Sequence, residues 1–351
     1  MAATNVTGDS SRSLLAGRPG TNSAFLYWTV RLRMPVILML LVTTVTILTD
    51  GFFVQPENLV NVARQISFEA LIAFGMTLVI VTGGIDLSVG SLVALTGVVA
   101  GVVMRATLPD STTADVSTTF CVLAGLLSGV GAGAVSGGLS GVVITRFAIP
   151  PFIVTLAAML VARGFAFILC SGQPVTELPP NLRFLGRGFV QEDILGRTIA
   201  VPTLFMVVGF VVLHVILSRT VFGRCVIAVG SNEEAARLAG IPVRRVKLMV
   251  YVLTGALCGL VGVLHDAYLT AADPKVGEAW ELNVIAAVVV GGTSLFGGRG
   301  SIVGTLIGAL IIGVLNNSLN LLQVEHFWQK VALGVVILLA AMLDSALRRL
   351  G

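Results

Sequence analysis

The sequence predicts an all-α integral membrane protein of about ten transmembrane helices, with both termini in the cytoplasm. Of its 351 residues, 56% are hydrophobic and only 11% are charged, whereas a soluble domain carries about 25% charged residues. The intervals 116–145 and 300–324 contain no charged residue at all. Each is long enough to cross a bilayer core of about 30 Å. A water-soluble globular protein is therefore excluded.

Ten segments satisfy the rule of roughly 17 to 25 mostly apolar residues per span. The third, eighth and tenth are short or interrupted by glycine, so the predicted number is about ten. The predicted spans are 34–50, 64–82, 86–105, 118–145, 150–171, 199–219, 247–268, 282–298, 300–323 and 328–346.

The distribution of basic residues predicts the orientation, because positively charged loops stay in the cytoplasm. With the N-terminus inside, fourteen of the 22 Lys and Arg residues are cytoplasmic and six are outside. The segment 1–33 is then a polar cytosolic tail, expected to be disordered, and 34–347 form a single transmembrane domain with a cytoplasmic loop at 220–247. A cleavable signal peptide is not indicated, since the tail has no apolar core.

The sequence has no Gly-Lys dipeptide, and so it lacks the phosphate-binding loop of a nucleotide hydrolase. Its three histidines and four cysteines stand apart from one another, which argues against a metal site or a catalytic triad. The basic residues form no stripe with interleaved aromatics, so nucleic-acid binding is not expected. We therefore predict a chain without enzyme activity and without a cofactor or metal of its own.

Glycines recur every four residues in the fourth span, from Gly125 to Gly141, and again at Gly300, Gly304 and Gly308. Small residues let helices approach closely in lipid, where no hydrophobic force drives them together. We expect both stripes to pack helices within the subunit, with a subunit interface or a solute pathway as the alternative. Two glycine-broken stretches, 82–91 and 290–300, share a V-x-G-G-x-x-L spacing that is too short to establish a repeat.

Polar residues inside spans are costly and indicate function. Arg163 lies within the fifth span, where it either forms a buried ion pair or lines a pathway. Asp86 lies in the broken stretch TGGIDLSVGS. The three amides Asn316, Asn317 and Asn320 either bond neighbouring helices or contact a hydroxylated solute. These five residues are the candidate translocation pathway.

The loop at 220–247 encodes a short helix over 232–239. Ser231 and Glu234 have the spacing of a capping box. Glu233 and Glu234 suit the positive end of a helix dipole, and Gly240 followed by Pro242 is a stop signal. The small apolar residues of this helix predict that it docks onto a cytosolic partner; they are Ala235, Ala236, Leu238 and Ala239.

Four stretches in this order resemble one family, the membrane permease subunits of bacterial ATP-binding-cassette sugar importers of the ribose type. They are MTLVIVTGGIDLSVGSLVAL (76–95), PPFIVTLAAMLVARG (150–164), GRCVIAVGSNEEAARLAGIPV (223–243) and WELNVIAAVVVGGTSLFGGRGSIVGTLIGALIIGVLNNSLNLL (280–322). The resemblance covers about residues 34 to 347.

The resemblance implies a subunit of the bacterial inner membrane that pairs with a second permease subunit and receives sugar from an extracytoplasmic binding protein. Cytosolic ATPase subunits, which bind ATP and Mg²⁺, would drive transport. The family's coupling segment falls on the loop described above, at Ser231, Glu233, Glu234, Ala235, Arg237 and Gly240. The alternative is an ion-coupled transporter or channel that uses Glu69, Asp266 or Arg163. The motifs do not distinguish one sugar from another.

Overall fold

The computed structural model describes residues 21–108, 115–191 and 198–350, which are almost entirely helical. A short 3₁₀ turn (Phe52–Val54) precedes α2, and strands β1 (Phe189–Gln191) and β2 (Thr198–Ala200) pair antiparallel. The helices are α1 (Thr21–Leu48), α2 (Pro56–Val81), α3 (Val89–Thr107), α4 (Asp115–Phe147), α5 (Pro151–Leu169), α6 (Leu182–Arg187), α7 (Val201–Arg219), α8 (Val221–Ser231), α9 (Glu233–Leu238), α10 (Val243–Leu269), α11 (Trp280–Val290), α12 (Ile302–Leu321) and α13 (His326–Leu350).

All ten predicted spans fall on helices, and the all-helical membrane class is confirmed. Seven of these helices are long and apolar enough to cross a membrane: α2, α3, α4, α5, α7, α10 and α12. The other three predicted spans coincide with shorter apolar helical segments, at Met34–Leu48, Trp280–Val290 and Phe327–Val336. The total of ten spans stays a prediction.

Helix α1 begins at Thr21, within the segment predicted as a polar tail, whereas its apolar part starts at Met34, so the boundary at residue 33 stays a prediction. The stretch from Ala24 to Trp28 contains no proline or glycine to stop a helix, so the helix extends into the expected tail. Residues 1–20 of that tail lie outside the described part of the chain.

The glycine stripe of α4 packs against α10, as predicted. A Cβ added at Gly133 would overlap the Gly255 carbonyl oxygen, and one at Gly137 would overlap the Tyr251 carbonyl. Gly255 faces Gly133 in the same way. Only glycine allows these two backbones to approach so closely.

The second stripe also packs helices within the subunit. Gly304 and Gly308 of α12 lie against Gly291 and Ala287 at the end of α11, and a Cβ at either position of α12 would overlap a backbone carbonyl. The predicted span 282–298 is thereby shortened. Helix α11 ends at Val290 because Gly291 and Gly292 follow, the latter with a positive φ of 88°.

The loop between α10 and α11 turns back into the bundle. Gly101 of α3 lies against Ala272, whereas Gly90 lies against Gly277. Since Gly90 and Gly101 are eleven residues apart, the loop descends about 16 Å along α3. Helix α11 therefore starts level with the first turn of α3, which explains its length of only 11 residues.

Candidate functional site

The candidate site is the segment formed by α8 and α9, which the sequence singled out as a docking element. The hydroxyl of Thr220 caps α8 by accepting a hydrogen bond from the Gly223 amide at 3.1 Å. The side chain of Asn232 caps α9 in the same way, accepting from the Ala235 amide at 2.9 Å. Side-chain caps of this kind fix where a helix begins.

The predicted capping box at Ser231 is wrong. Ser231 is the last residue of α8, and its hydroxyl donates to the Ile227 carbonyl at 2.8 Å. Asn232 is the N-cap because its backbone is extended and its side-chain oxygen reaches the amide three residues on. The docking helix consequently spans Glu233–Leu238 rather than 232–239.

Two ion pairs fix the acidic first turn of α9. Glu233 bonds Lys247 at the start of α10, with Oε2 to Nζ at 2.7 Å, and Glu234 bonds Arg237 within α9 at 2.6 Å. The pair between α9 and α10 ties the short helix to a long one. Because α9 has only 6 residues, such tertiary contacts rather than its own propensity hold it in place.

The apolar residues of α9 divide between two faces. Ala236 is 5% exposed and packs inward, whereas Leu238 is 80% exposed. Ala235 and Ala239 are exposed as well. The helix thus presents a leucine and two alanines outward. Gly240, which ends it, has the positive φ that the sequence predicted, at 82°.

The end of α8 meets two other elements in a contact made of backbone, which we call the glycine junction: Val81, Gly230, Gly297 and Gly298. The Gly298 amide donates to the Val81 carbonyl at 2.9 Å. A Cβ on Gly230 would overlap that same carbonyl oxygen, and one on Gly297 would lie 2.8 Å from the Gly230 carbonyl. Gly297 and Gly298 both have positive φ, at 84° and 74°.

The sequence did not predict the glycine junction. The glycine-rich stretch 290–300 contributes Gly297 and Gly298, but their partner is Gly230, an isolated glycine in the loop predicted at 220–247. The structure brings together the end of α2, the loop after α11 and the segment α8–α9. It therefore connects α8, which precedes the predicted docking helix, to the end of membrane helix α2 and to the loop after α11.

Two predicted pathway residues hold backbone in place. Asp86 is 1% exposed and accepts hydrogen bonds from the Ser88 amide at 2.9 Å and from the Ser88 hydroxyl at 2.6 Å, at the start of α3. Arg163 donates to the carbonyls of Pro274 and Val276 at 2.6 and 2.7 Å, in the loop that descends along α3. These bonds go to backbone carbonyls and not to a carboxylate, so they differ from the ion pair that was one alternative; the pathway alternative stays a prediction.

The three amides of α12 have different surroundings. Asn317 is 7% exposed and exchanges hydrogen bonds of 3.2 Å with Asn58 of α2. Asn320 is exposed and accepts from Gln329 at 2.8 Å. Asn316 is half-buried. Asn317 thus makes the interhelical bond that was one of the two alternatives. The pathway role of all five residues stays a prediction.

Residues 58–341 match the family model described as branched-chain amino acid transport system / permease component. The ribose import permease of Bacillus subtilis is 49% identical over 310 residues, which cover 88% of this chain and 90% of that protein. The ribose import permease of Escherichia coli is 43% identical, over 91% of this chain and 94% of the relative.

A third relative, the L-arabinose ABC transporter permease of Azospirillum brasilense, is 39% identical over 91% of this chain and 89% of its own length. No solved structure matches the chain. The family model covers most of the chain, and the relatives align along nearly their whole length. The chain belongs to the family of membrane permease components of transport systems that this model describes.

Proposed function

We propose that this chain is the permease subunit of an ATP-driven importer of a ribose-like monosaccharide. The observation that carries the proposal is the outward-facing helix α9. An ion pair ties it to α10, and the preceding helix α8 is joined to α2 by the glycine junction. A helix that is rigidly joined to membrane helices yet exposes Leu238 is suited to receive force from a partner. The names of the relatives supply the solute class, since they are permeases for ribose and L-arabinose.

The partner at α9 would be a cytosolic ATPase subunit that binds ATP and Mg²⁺. The coupling residues would then divide by role. Glu233 ties α9 to Lys247 of α10, whereas Glu234 and Arg237 pair with each other on the exposed surface of α9. Ala235 forms the contact surface together with Leu238, while Ser231 and Gly240 mark the end of α8 and the turn after α9. This chain itself would carry out no hydrolysis.

A second permease subunit would complete the pathway, opposite a binding protein on the outer side. Helix α5 supports this proposal because a stripe of large apolar side chains on it is uncovered: Phe152, Leu156, Leu160 and Ile168 are 51%, 36%, 67% and 71% exposed. Lipid or another subunit can cover such a face. Asp86, Arg163, Asn316, Asn317 and Asn320 stay the proposed pathway residues.

Reconstitution tests the mode of energy coupling. Purified chain in vesicles should move no sugar along an ion gradient, and uptake should require the ATPase subunit, the binding protein and ATP together. Ion-driven uptake by the isolated chain would overturn the proposal in favour of a secondary transporter.

We also propose ten spans with both termini in the cytoplasm, in the bacterial inner membrane. Reporter fusions after Gly188 should indicate the outside, and fusions after Arg244 the inside. The reverse pattern would contradict the orientation that the Lys and Arg distribution predicts.

Substitutions in α9 test its role in coupling. Ala235→Glu places a charge on the exposed face, and Gly240→Val forces a β-branched residue to positive φ. Both variants should insert normally and lose uptake and sugar-stimulated ATP hydrolysis together. Gly51→Val is the matched control, because Gly51 has a φ of 80° and, like Gly240, no atom within 4 Å of an added Cβ. Wild-type uptake by both α9 variants would remove the coupling role.

A further inference from the structure

A cavity of about 560 Å³ lies between the first turns of α2, strand β1 and the start of α7. Its polar lining includes Glu57, Asn61, Arg64 and Thr203, and its aromatic wall is Phe189. None of these residues belongs to the coupling segment or to the proposed pathway. The cavity is therefore a separate feature of the subunit.

Within the described part of the chain, Arg64 lies at the cavity without a counter-ion. Its guanidinium carbon lies 4.9 Å from the ring centre of Phe189 and 6.0 Å from that of Tyr268. Its Nε is buried and has no hydrogen-bond partner. Within the described residues, no carboxylate forms an ion pair with it. A cation near a span that has no ion pair among the described residues is suited to bind an anionic group from outside the chain.

The position of Arg64 along α2 places its charge at the depth of lipid phosphates. Helix α2 has 26 residues, about 39 Å, and exceeds the bilayer core by about 4 to 5 Å at each end if it is centred. The Arg64 backbone, about 12 Å from the helix start, then lies about 7 to 8 Å below the core boundary. Side chains in helices point towards the N-terminus, so the guanidinium reaches that boundary.

Glu57 supplies the opposite charge farther out. It is exposed, lines the same cavity and precedes Arg64 by seven residues, or about 10 Å along nearly the same helix face. The cavity therefore has its cation on the membrane side and its anion on the water side. A zwitterionic phospholipid headgroup has the complementary order, with phosphate next to the acyl chains and ammonium beyond it.

The surface below the cavity is apolar. On α7, which begins at the cavity, Leu204, Val208 and Val211 are 45%, 53% and 51% exposed. Their spacing places them on one helix face, leading away from Thr203 towards the middle of the span. This stripe can hold an acyl chain whose headgroup lies in the cavity.

We propose that the cavity binds one phospholipid whose headgroup carries a primary ammonium, as in phosphatidylethanolamine. Arg64 bonds the phosphate, Glu57 accepts hydrogen bonds from the ammonium, and the apolar stripe of α7 contacts an acyl chain. Positively charged pockets between membrane helices bind lipid headgroups by this chemistry. The site does not depend on which solute the subunit transports.

The test uses the full-length chain, purified and stripped of lipid, and titrated in mixed micelles with phosphatidylethanolamine, phosphatidylcholine or phosphatidylglycerol. Native mass spectrometry counts the lipids bound per chain. Wild-type protein should bind one phosphatidylethanolamine about threefold more tightly than phosphatidylcholine, whose trimethylammonium cannot donate to Glu57. Arg64→Gln should weaken binding about tenfold, and Arg64→Lys should restore part of it.

Two further variants sharpen the result. Glu57→Gln should abolish the preference for ethanolamine over choline. Arg105→Gln should leave binding unchanged, because Arg105 does not line the cavity. It pairs instead with Glu177, at an N–O distance of 3.4 Å. Equal binding by wild type and Arg64→Gln would overturn the proposal, as would stronger binding of phosphatidylglycerol. If Arg64→Gln binds lipid normally but weakens contact with a solute-binding protein, the cavity serves a protein instead.

Discussion

Helices α2 and α5 are both apolar enough to cross a membrane, but they are buried to very different degrees. In the most apolar stretch of 18 residues, 83% of α2 is buried within the subunit and only 22% of α5. The more apolar of the two helices is the more exposed one. This order is the reverse of that in a soluble protein, where apolar residues gather in the core.

The difference follows from the polar residues of each helix. Helix α2 contains Asn58, Glu69 and Thr77, which bond Asn317, Asn283 and Thr305 of other helices. Polar groups at membrane depth need such partners, since lipid offers none. Helix α5 has a single ionisable residue, Arg163, and it faces the descending loop. In this pair, the helix with more polar side chains is the one that lies at the centre of the subunit.

The largest effect is expected from replacing one glycine in each of these two helices by leucine. Gly75 of α2 has backbone and side-chain atoms of Thr254 and Leu257 at 3.1 Å from an added Cβ, whereas Gly164 of α5 has nothing within 4 Å. Gly75→Leu should prevent correct packing of α2 against α10, and Gly164→Leu should be tolerated. Yield and monodispersity after size-exclusion chromatography measure both. Equal loss with Gly164→Leu would show that the face of α5 is covered tightly.

The next effect concerns transmission from α9 to α2. Gly230→Ala puts a methyl group into the Val81 carbonyl, so we expect the glycine junction to open and uptake to fall at least about tenfold, with the protein still inserted. Gly131→Ala is the control, since Gly131 also lies in a helix and no atom lies within 4 Å of a Cβ added there. Transport per inserted molecule is the measurement. Normal uptake by Gly230→Ala would mean that α9 acts through its ion pair with Lys247 alone.

Arg163 gives an intermediate effect, because it is the one ionisable residue of α5 and bonds two carbonyls of another segment. Arg163→Met removes the hydrogen bonds that the guanidinium donates to the Pro274 and Val276 carbonyls. The free energy of unfolding should fall by about 2 kcal/mol. Unfolding in mixed micelles measures the change. Arg183→Met, at an exposed position of α6, should have little effect. A stable Arg163→Met variant would show that the descending loop holds its position without the arginine.

The smallest effect is expected at Thr77. Its hydroxyl lies 2.6 Å from that of Thr305 and also donates to the Ala73 carbonyl. Thr77→Val keeps the shape and removes one interhelical bond, which in membranes contributes about 0.6 kcal/mol. The same unfolding assay should detect a small loss, and Thr77→Val combined with Thr305→Val should lose little more. A loss larger than that for Arg163→Met would contradict the comparison of the two helices.

Much of the fold could be predicted because bilayer thickness sets the helix length. Each of the ten predicted spans overlaps a helix, although α11 covers only the first half of 282–298. The positive φ of Gly240 and the packing of both glycine stripes were also predictable from local chemistry. The cap at Asn232 was missed because Ser231 and Asn232 are both good caps, and only the end of α8 decides between them. The descending loop at 270–279 and the glycine junction depend on contacts between distant segments, which spacing along the chain does not encode.

The glycine junction has a consequence for how the subunit can diverge. A contact between two side chains can yield, because either can change rotamer and absorb a displacement of an ångström or more. The main-chain atoms of Val81, Gly230 and Gly298 have no rotamers to change. We therefore expect a shift of α8 to displace the end of α2 by a similar distance. The connection is also independent of the outward residues of α9. Under the proposed coupling role, those residues can change to match a different ATPase while the displacement transmitted to α2 stays the same.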